Sequence, residues 1–168
     1  MIVSTLKRMG WALLLLAIQV LVLDQVHPWG YGAPLLCPLL VITLPLGTAR
    51  SEALLWGFGI GFVADIFAGT AGISSAAMTL IAFIQPPLLE VMVPRDSEEE
   101  LHPSFSTMGR WNYLQFIALL LLLHHTIFFA LEGFSYFHIK DIAISMGVSY
   151  AASLLLIILV EHVRNPQK

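Results

Sequence analysis

Asp65 ends a glycine-rich apolar run, GFGIGFVADIF, from Gly57 to Phe67. Gly57, Gly61 and Asp65 follow one another at intervals of four, so on a helix they share a face. Ala64 and Ala68 widen that face with further small side chains. Small residues at i and i+4 let two helix backbones approach closely. A carboxylate inside a bilayer is costly, about 2.5–3.5 kcal/mol at the centre on insertion scales, and therefore demands a specific partner. Two readings of Asp65 follow: a carboxylate that reaches the headgroup layer or bonds a neighbouring helix, or a buried contact that fixes a partner or a ligand.

His124 and His125 are the other ionisable side chains deep in an apolar stretch. Neighbours on a helix point about 100° apart, so the two imidazoles cannot share one metal. They read as polar groups satisfied at a helix interface. A proton relay would need an acid beside them, and Glu132 is the candidate. Asp24, Gln25 and His27 close the first apolar stretch, and Glu90 lies near the end of the fourth; both groups read as interfacial polar residues. Asp24, His124 and His125 are the candidate members of a pocket or polar network.

Familiar catalytic patterns are missing. There is no HExxH, no Walker loop and no GxSxG around Ser74 and Ser75. Asp24 and Asp65 have different contexts and do not form an aspartate pair. The single cysteine, Cys37, rules out an internal disulfide and a cysteine-based metal site, and reads as a small buried packing residue. The expectation is a chain with no catalytic set, no cofactor and no metal.

The elements that must position these residues are apolar. Of 168 residues, 58% are hydrophobic and 11% charged, with a net charge of −3 and a mean hydropathy of +0.84. Soluble domains carry about 25% charged residues, so a surface this poor in charge must meet lipid. No Lys or Arg run suits nucleic acid. A crossing helix needs about 20 mostly apolar residues, with a range of about 17–25. Six stretches fit: 9–26, 30–46, 53–69, 73–93, 112–131 and 142–161. The fourth has an alternative end at Gln85, before Pro86-Pro87, with 88–93 lying at the interface. Unbroken leucine runs at 13–16 and 119–123 argue against the alternation of a β-barrel. The fold class expected is all-α, one polytopic membrane domain over 1–168, a compact bundle of six transmembrane helices.

Lys7 and Arg8 precede the first stretch, but no small-x-small cleavage pattern follows it, so it reads as an uncleaved span. With the N-terminus in the cytoplasm, Lys7, Arg8, Arg50, Arg95, Arg110, Arg164 and Lys168 lie inside and Lys140 alone outside. That asymmetry places both termini in the cytoplasm. The connection 94–111, with Asp96 and Glu98–Glu100 beside Arg95 and Arg110, is then cytoplasmic, and its acidic patch reads as a solvated loop. Trp11, Trp29, Tyr31, Trp111, Tyr113 and Tyr136 fall near span ends, as in an aromatic belt.

From Gly57 to Pro86 the chain reads GFGIGFVADIFAGTAGISSAAMTLIAFIQP. Glycines leading to Asp65, a short turn with Gly72, and an Ala/Thr-rich helix with Ala76, Ala77 and Thr79 ending near Pro86 resemble the MreD family of rod-shape-determining membrane proteins. LPLGTAR at 44–50 and Pro94-Arg95 look like its Bacteroidetes-type version. The resemblance implies a non-enzymatic scaffold of the peptidoglycan elongation machinery in the bacterial inner membrane. Its implied partner is a bitopic MreC-like protein, linked to an MreB-like filament, a SEDS glycosyltransferase and a transpeptidase. In span layout the family also resembles the substrate-binding subunits of energy-coupling-factor transporters. That gives a second expectation, a small-molecule-binding membrane subunit with Asp65, His124 and Asp24 lining an outward pocket.

Overall fold

The computed structural model describes residues 2–25, 32–70, 72–93, 101–133 and 139–164. The expectations resting on His27, Trp29, Tyr31, Pro94, Arg95, Asp96, Glu98–Glu100, Tyr136 and Lys168 lie outside the described residues.

Among the described residues seven α-helices follow one another: α1 (Ile2–Leu21), α2 (Pro38–Ile42), α3 (Arg50–Ala68), α4 (Ile73–Met92), α5 (Phe105–Met108), α6 (Arg110–Gly133) and α7 (Ile139–Arg164). A 3-10 turn, Leu23–Gln25, extends α1. Five of the helices, all but α2 and α5, are long and apolar enough to cross a bilayer. No strand occurs among the described residues.

Large apolar side chains cover the outside of the bundle as well as its core, and several polar side chains are buried. Leu13, Leu55, Leu155 and Val163 are 66, 72, 64 and 80% exposed, while Gln85, His125, Ser149 and Ser153 are fully buried. Such an outer surface suits hydrocarbon, and the interior then has to satisfy the polar groups it contains. The helices run antiparallel in hairpins: α4 packs along α3 and α6, and α7 lies along α6 with Gly133 against Ile142. Arg8, Arg50 and Arg110 thus mark one end of the bundle, the basic end, and Asp24, Glu132 and Asp141 the other.

The second expected span, 30–46, is not a long helix. Its described part holds only the five residues of α2, flanked by irregular chain. Pro34, Pro38 and Pro45 account for this. Each lacks an N–H and clashes with a preceding helical turn; Pro38 is tolerated because it occupies the first turn of α2. The segment nevertheless passes through the bundle. Gly32 lies against Ser149 and Phe129, Ala33 and Leu35 border Asp24 and Glu132 at the acidic end, and Leu46 donates to the Leu101 carbonyl at 2.8 Å. Leu36, Leu39, Val41, Ile42 and Leu44 are buried along the way.

Helix α4 continues through Pro86 and Pro87 to Met92, so it does not end at Gln85. Leu89, beyond the prolines, is fully buried, and packing holds the last turns in register. Tyr113, placed by its position in an aromatic belt, is instead buried in the core, edge-on to Phe105 at 5.0 Å. Trp111 is 71% exposed, as a belt residue would be. Residue Ser104 starts α5 with a reciprocal cap, accepting from the Thr107 amide while Thr107 Oγ1 accepts from the Ser104 amide.

Candidate functional site

Asp65 lies on the last turn of α3, which stops at Gly69 in a left-handed conformation (φ 68°). Gly72, also left-handed (φ 84°), precedes α4 and offers no side chain to cap it. The first amides of a helix need acceptors. Asp65 supplies them from the preceding helix: Oδ1 accepts from the Ser74 amide at 2.8 Å and Oδ2 from the Ser75 amide at 2.8 Å. The Ser75 hydroxyl donates to Oδ2 at 2.6 Å and the Thr70 hydroxyl to Oδ1 at 2.5 Å. A buried carboxylate with four donors at the positive end of a helix dipole is well compensated. Its lone pairs are directed into the turn, and it does not line the cavities described below.

The glycines on the same face set the distance between the two helices. A Cβ on Gly61 would fall 2.6 Å from Ser75 Cα and 2.7 Å from the Ser74 carbonyl oxygen. One on Gly57 would fall 2.7 Å from both the Met78 carbonyl oxygen and the Ala82 Cβ. The small-residue stripe is therefore filled by this chain's own α4. Ala64 is half-buried beside Met78 and His124, and Ala68 is exposed near the acidic end.

The two imidazoles meet edge to face at 5.5 Å and otherwise have different neighbours. His125 Nδ1 is 2.9 Å from the Leu121 carbonyl and Nε2 is 3.2 Å from Ser153 Oγ. A carbonyl only accepts, so in the neutral ring Nδ1 carries the proton and Nε2 accepts from the serine. Ser153 Oγ in turn accepts from the Leu35 amide at 2.7 Å. One chain of hydrogen bonds thus joins the irregular segment, α7 and α6. His124, 2% exposed, stacks on Phe128 at 6.0 Å. It shares a cavity of about 60 Å³ with Asp24, Gln19, Cys37 and Ser74. The structure brings Asp24 and His124 together and leaves His125 and Asp65 out. Glu132 lies elsewhere, in a cavity of about 710 Å³ at the acidic end with Asp24 and Asp141. Among the described residues no group of three or more His, Cys, Asp and Glu is placed to hold a metal.

Compared with known proteins, the chain matches no family model, no curated protein and no solved structure. The site must be read from its own geometry.

Three residues with no assigned role in the sequence reading organise the interior. Gln19 on α1 donates to the Pro34 carbonyl at 3.1 Å and to Asp24 Oδ1 at 2.7 Å, and accepts from the Leu36 amide at 2.6 Å. Gln85 on α4 donates to the Leu44 carbonyl at 2.9 Å. Ser153 takes the Leu35 amide. Irregular backbone at membrane depth is tolerated only where protein satisfies it, and these side chains do so here. The signal was available: an amide side chain inside an apolar stretch needs a partner, and a span with three prolines exposes backbone groups that need one too.

Proposed function

We propose that this chain is an MreD-like, non-enzymatic component of the bacterial elongation machinery. It would reside in the inner membrane and dock a bitopic MreC-like protein, which connects it to filament, glycosyltransferase and transpeptidase. The observation that carries this reading is the segment from Gly57 to Pro86. The residues that resemble the family form one α3–α4 hairpin, closed by glycines and capped by Asp65. An investment of Asp65, Ser74 and Ser75 in helix packing suits a scaffold whose output is shape. In this reading the irregular segment 32–49 is the sixth crossing, an even count returns the C-terminus to the side of the N-terminus, and the basic end faces the cytoplasm. Because α4 fills the Gly57–Gly61 stripe, the partner meets other faces of the bundle.

The test is co-purification of an MreC-like protein with the tagged chain from mild detergent, beside rescue of rod shape in cells lacking the chain. Both are expected. A tagged chain that supports growth as rods yet never captures an MreC-like protein would overturn the docking role.

A second reading, small-molecule binding, is favoured by one observation. The cavity of about 710 Å³ at the acidic end is large enough for a ligand and places Asp24, Glu132 and Asp141 around walls that include Phe128 and Phe129. Native mass spectrometry separates the readings: a stoichiometric small ligand on the purified protein supports the second, and its absence together with MreC capture supports the first.

A further inference from the structure

A different cavity, of about 380 Å³, opens at the basic end, walled by Arg8, Trp11, Leu40, Thr43, Trp56 and His102. At Ala12, Trp56 and Ile60 it meets an apolar groove of about 500 Å³ between α1 and α3. Leu13, Leu16, Leu55 and Val63 border that groove, and Gly59 forms part of its floor, with nothing within 4 Å of the position a Cβ would take. One continuous site thus has a polar mouth where the helices begin and an apolar trough along their outward faces.

The mouth sets a donor, Arg8, beside one carboxylate, Glu52, which also lines the adjoining groove. Arg8 contributes a guanidinium whose Nη1 lies 3.3 Å from Glu52 Oε1, a one-point contact where a guanidinium can make a two-point fork to a phosphate. The Trp11 indole N–H is buried without a partner, and an indole nitrogen can only donate. His102 adds a third polar group. Basic pockets between transmembrane helices at the cytoplasmic level take anionic headgroups, and a trough of leucine and glycine takes an acyl chain. A second apolar helix would fill the trough but would leave the Arg8 guanidinium with its one-point contact to Glu52 alone.

We propose that the mouth and trough together bind one anionic phospholipid, its phosphate at Arg8 beside Trp11 and an acyl chain over Gly59 between α1 and α3. This site is separate from the hairpin on which the scaffold reading rests.

The experiment is native mass spectrometry of the detergent-purified chain titrated with dioleoylphosphatidylglycerol, with dioleoylphosphatidylcholine as the zwitterionic comparison. The melting temperature of every variant is measured alongside. One phosphatidylglycerol binds, about tenfold more tightly than phosphatidylcholine. Arg8→Gln weakens it by about tenfold and Arg8→Lys by less; Gly59→Leu weakens both lipids; Arg110→Gln, outside the cavity, changes neither. Inorganic phosphate at 100-fold excess leaves the lipid bound. Equal binding of the two lipids, an Arg8→Gln protein of unchanged melting temperature and affinity, or an Arg110→Gln loss as large as that of Arg8→Gln overturns the proposal. Displacement by inorganic phosphate assigns the mouth to a free anion and overturns the lipid. If Gly59→Leu abolishes capture of a protein partner while lipid affinity is unchanged, the trough belongs to a helix.

Discussion

Asp65 and Ser75 meet twice across the α3–α4 turn: Oδ2 accepts from the Ser75 amide at 2.8 Å and from its hydroxyl at 2.6 Å. Together with the Ser74 amide and the Thr70 hydroxyl on Oδ1, four donors converge on one carboxylate. Helix α4 therefore takes its cap from the helix before it, which fixes where the hairpin closes as well as where α4 starts.

That geometry makes Asp65→Asn a severe change. Each carboxylate oxygen accepts from a backbone amide, so whichever way the Asn side chain is turned its NH₂ group faces an N–H donor. Asp65→Asn and Asp65→Ala are both expected to lower stability by at least ~2 kcal/mol, combining a lost cap with unpaired buried donors. Thermal unfolding in detergent, followed by size-exclusion fluorescence, measures this. An Asn variant that melts with the wild type would show that the carboxylate is not held as described.

Glycine positions separate by face. Gly61→Ala forces apart α3 and α4 at Ser74 and Ser75 and is expected to cost about 1–3 kcal/mol by overpacking. Gly59→Ala, two residues away and open to the outside, is expected to be neutral or to stabilise by about 0.5–1 kcal/mol through helix propensity. The same melting assay decides. Equal effects of the two substitutions would contradict the α3–α4 packing.

Cys37, the only cysteine, is 6% exposed and sits within the irregular segment, so it reports on that segment without engineering. Gln19→Leu leaves the Leu36 amide and the Pro34 carbonyl without their side-chain partner, at about 1–3 kcal/mol for each buried group. Labelling of Cys37 by a membrane-permeant maleimide is expected to be slow in the wild type and at least about 30-fold faster in Gln19→Leu, an opening of at least about 2 kcal/mol. Rapid labelling of the wild type would mean the segment is not packed inside.

Ser153 and His125 should prove energetically coupled. Ser153→Ala removes the acceptor of the Leu35 amide and the donor to His125 Nε2, while His125→Phe leaves the Leu35 contact in place and removes the second contact together with the Nδ1 bond to the Leu121 carbonyl. A double-mutant cycle on melting free energies is expected to return a coupling of about 0.5–3 kcal/mol. A coupling near zero would disconnect α6 from the irregular segment.

The long helices were legible because composition and length suffice for them: leucine runs at 13–16 and 119–123 admit little else. The α3–α4 hairpin was legible in outline, since the spacing of Gly57, Gly61 and Asp65 predicts a shared packed face. Its occupant was not, because a small-residue stripe is equally fit for a neighbour in the same chain or in another. Span two misled. Its apolar content satisfied a length criterion while Pro34, Pro38 and Pro45 opposed a helix, and hydropathy weighs composition without regard to backbone donors. Gln19, Gln85 and Ser153 stayed invisible for the same reason: their function is to serve carbonyls and amides that only a broken span leaves open. Tyr113 shows the converse limit, since a position near a helix end does not reveal that Phe105 folds back over it.

The bond from the Leu35 amide to Ser153 has a consequence for biogenesis. An early stretch of the polypeptide waits for a hydroxyl on α7 to be synthesised before the Leu35 amide is answered. A nascent chain stalled before α7 would hold that stretch in the bilayer with an open donor, ready to slip or to be recognised by membrane proteases. The interior of the bundle is closed only once α7 has been made and has packed against this stretch.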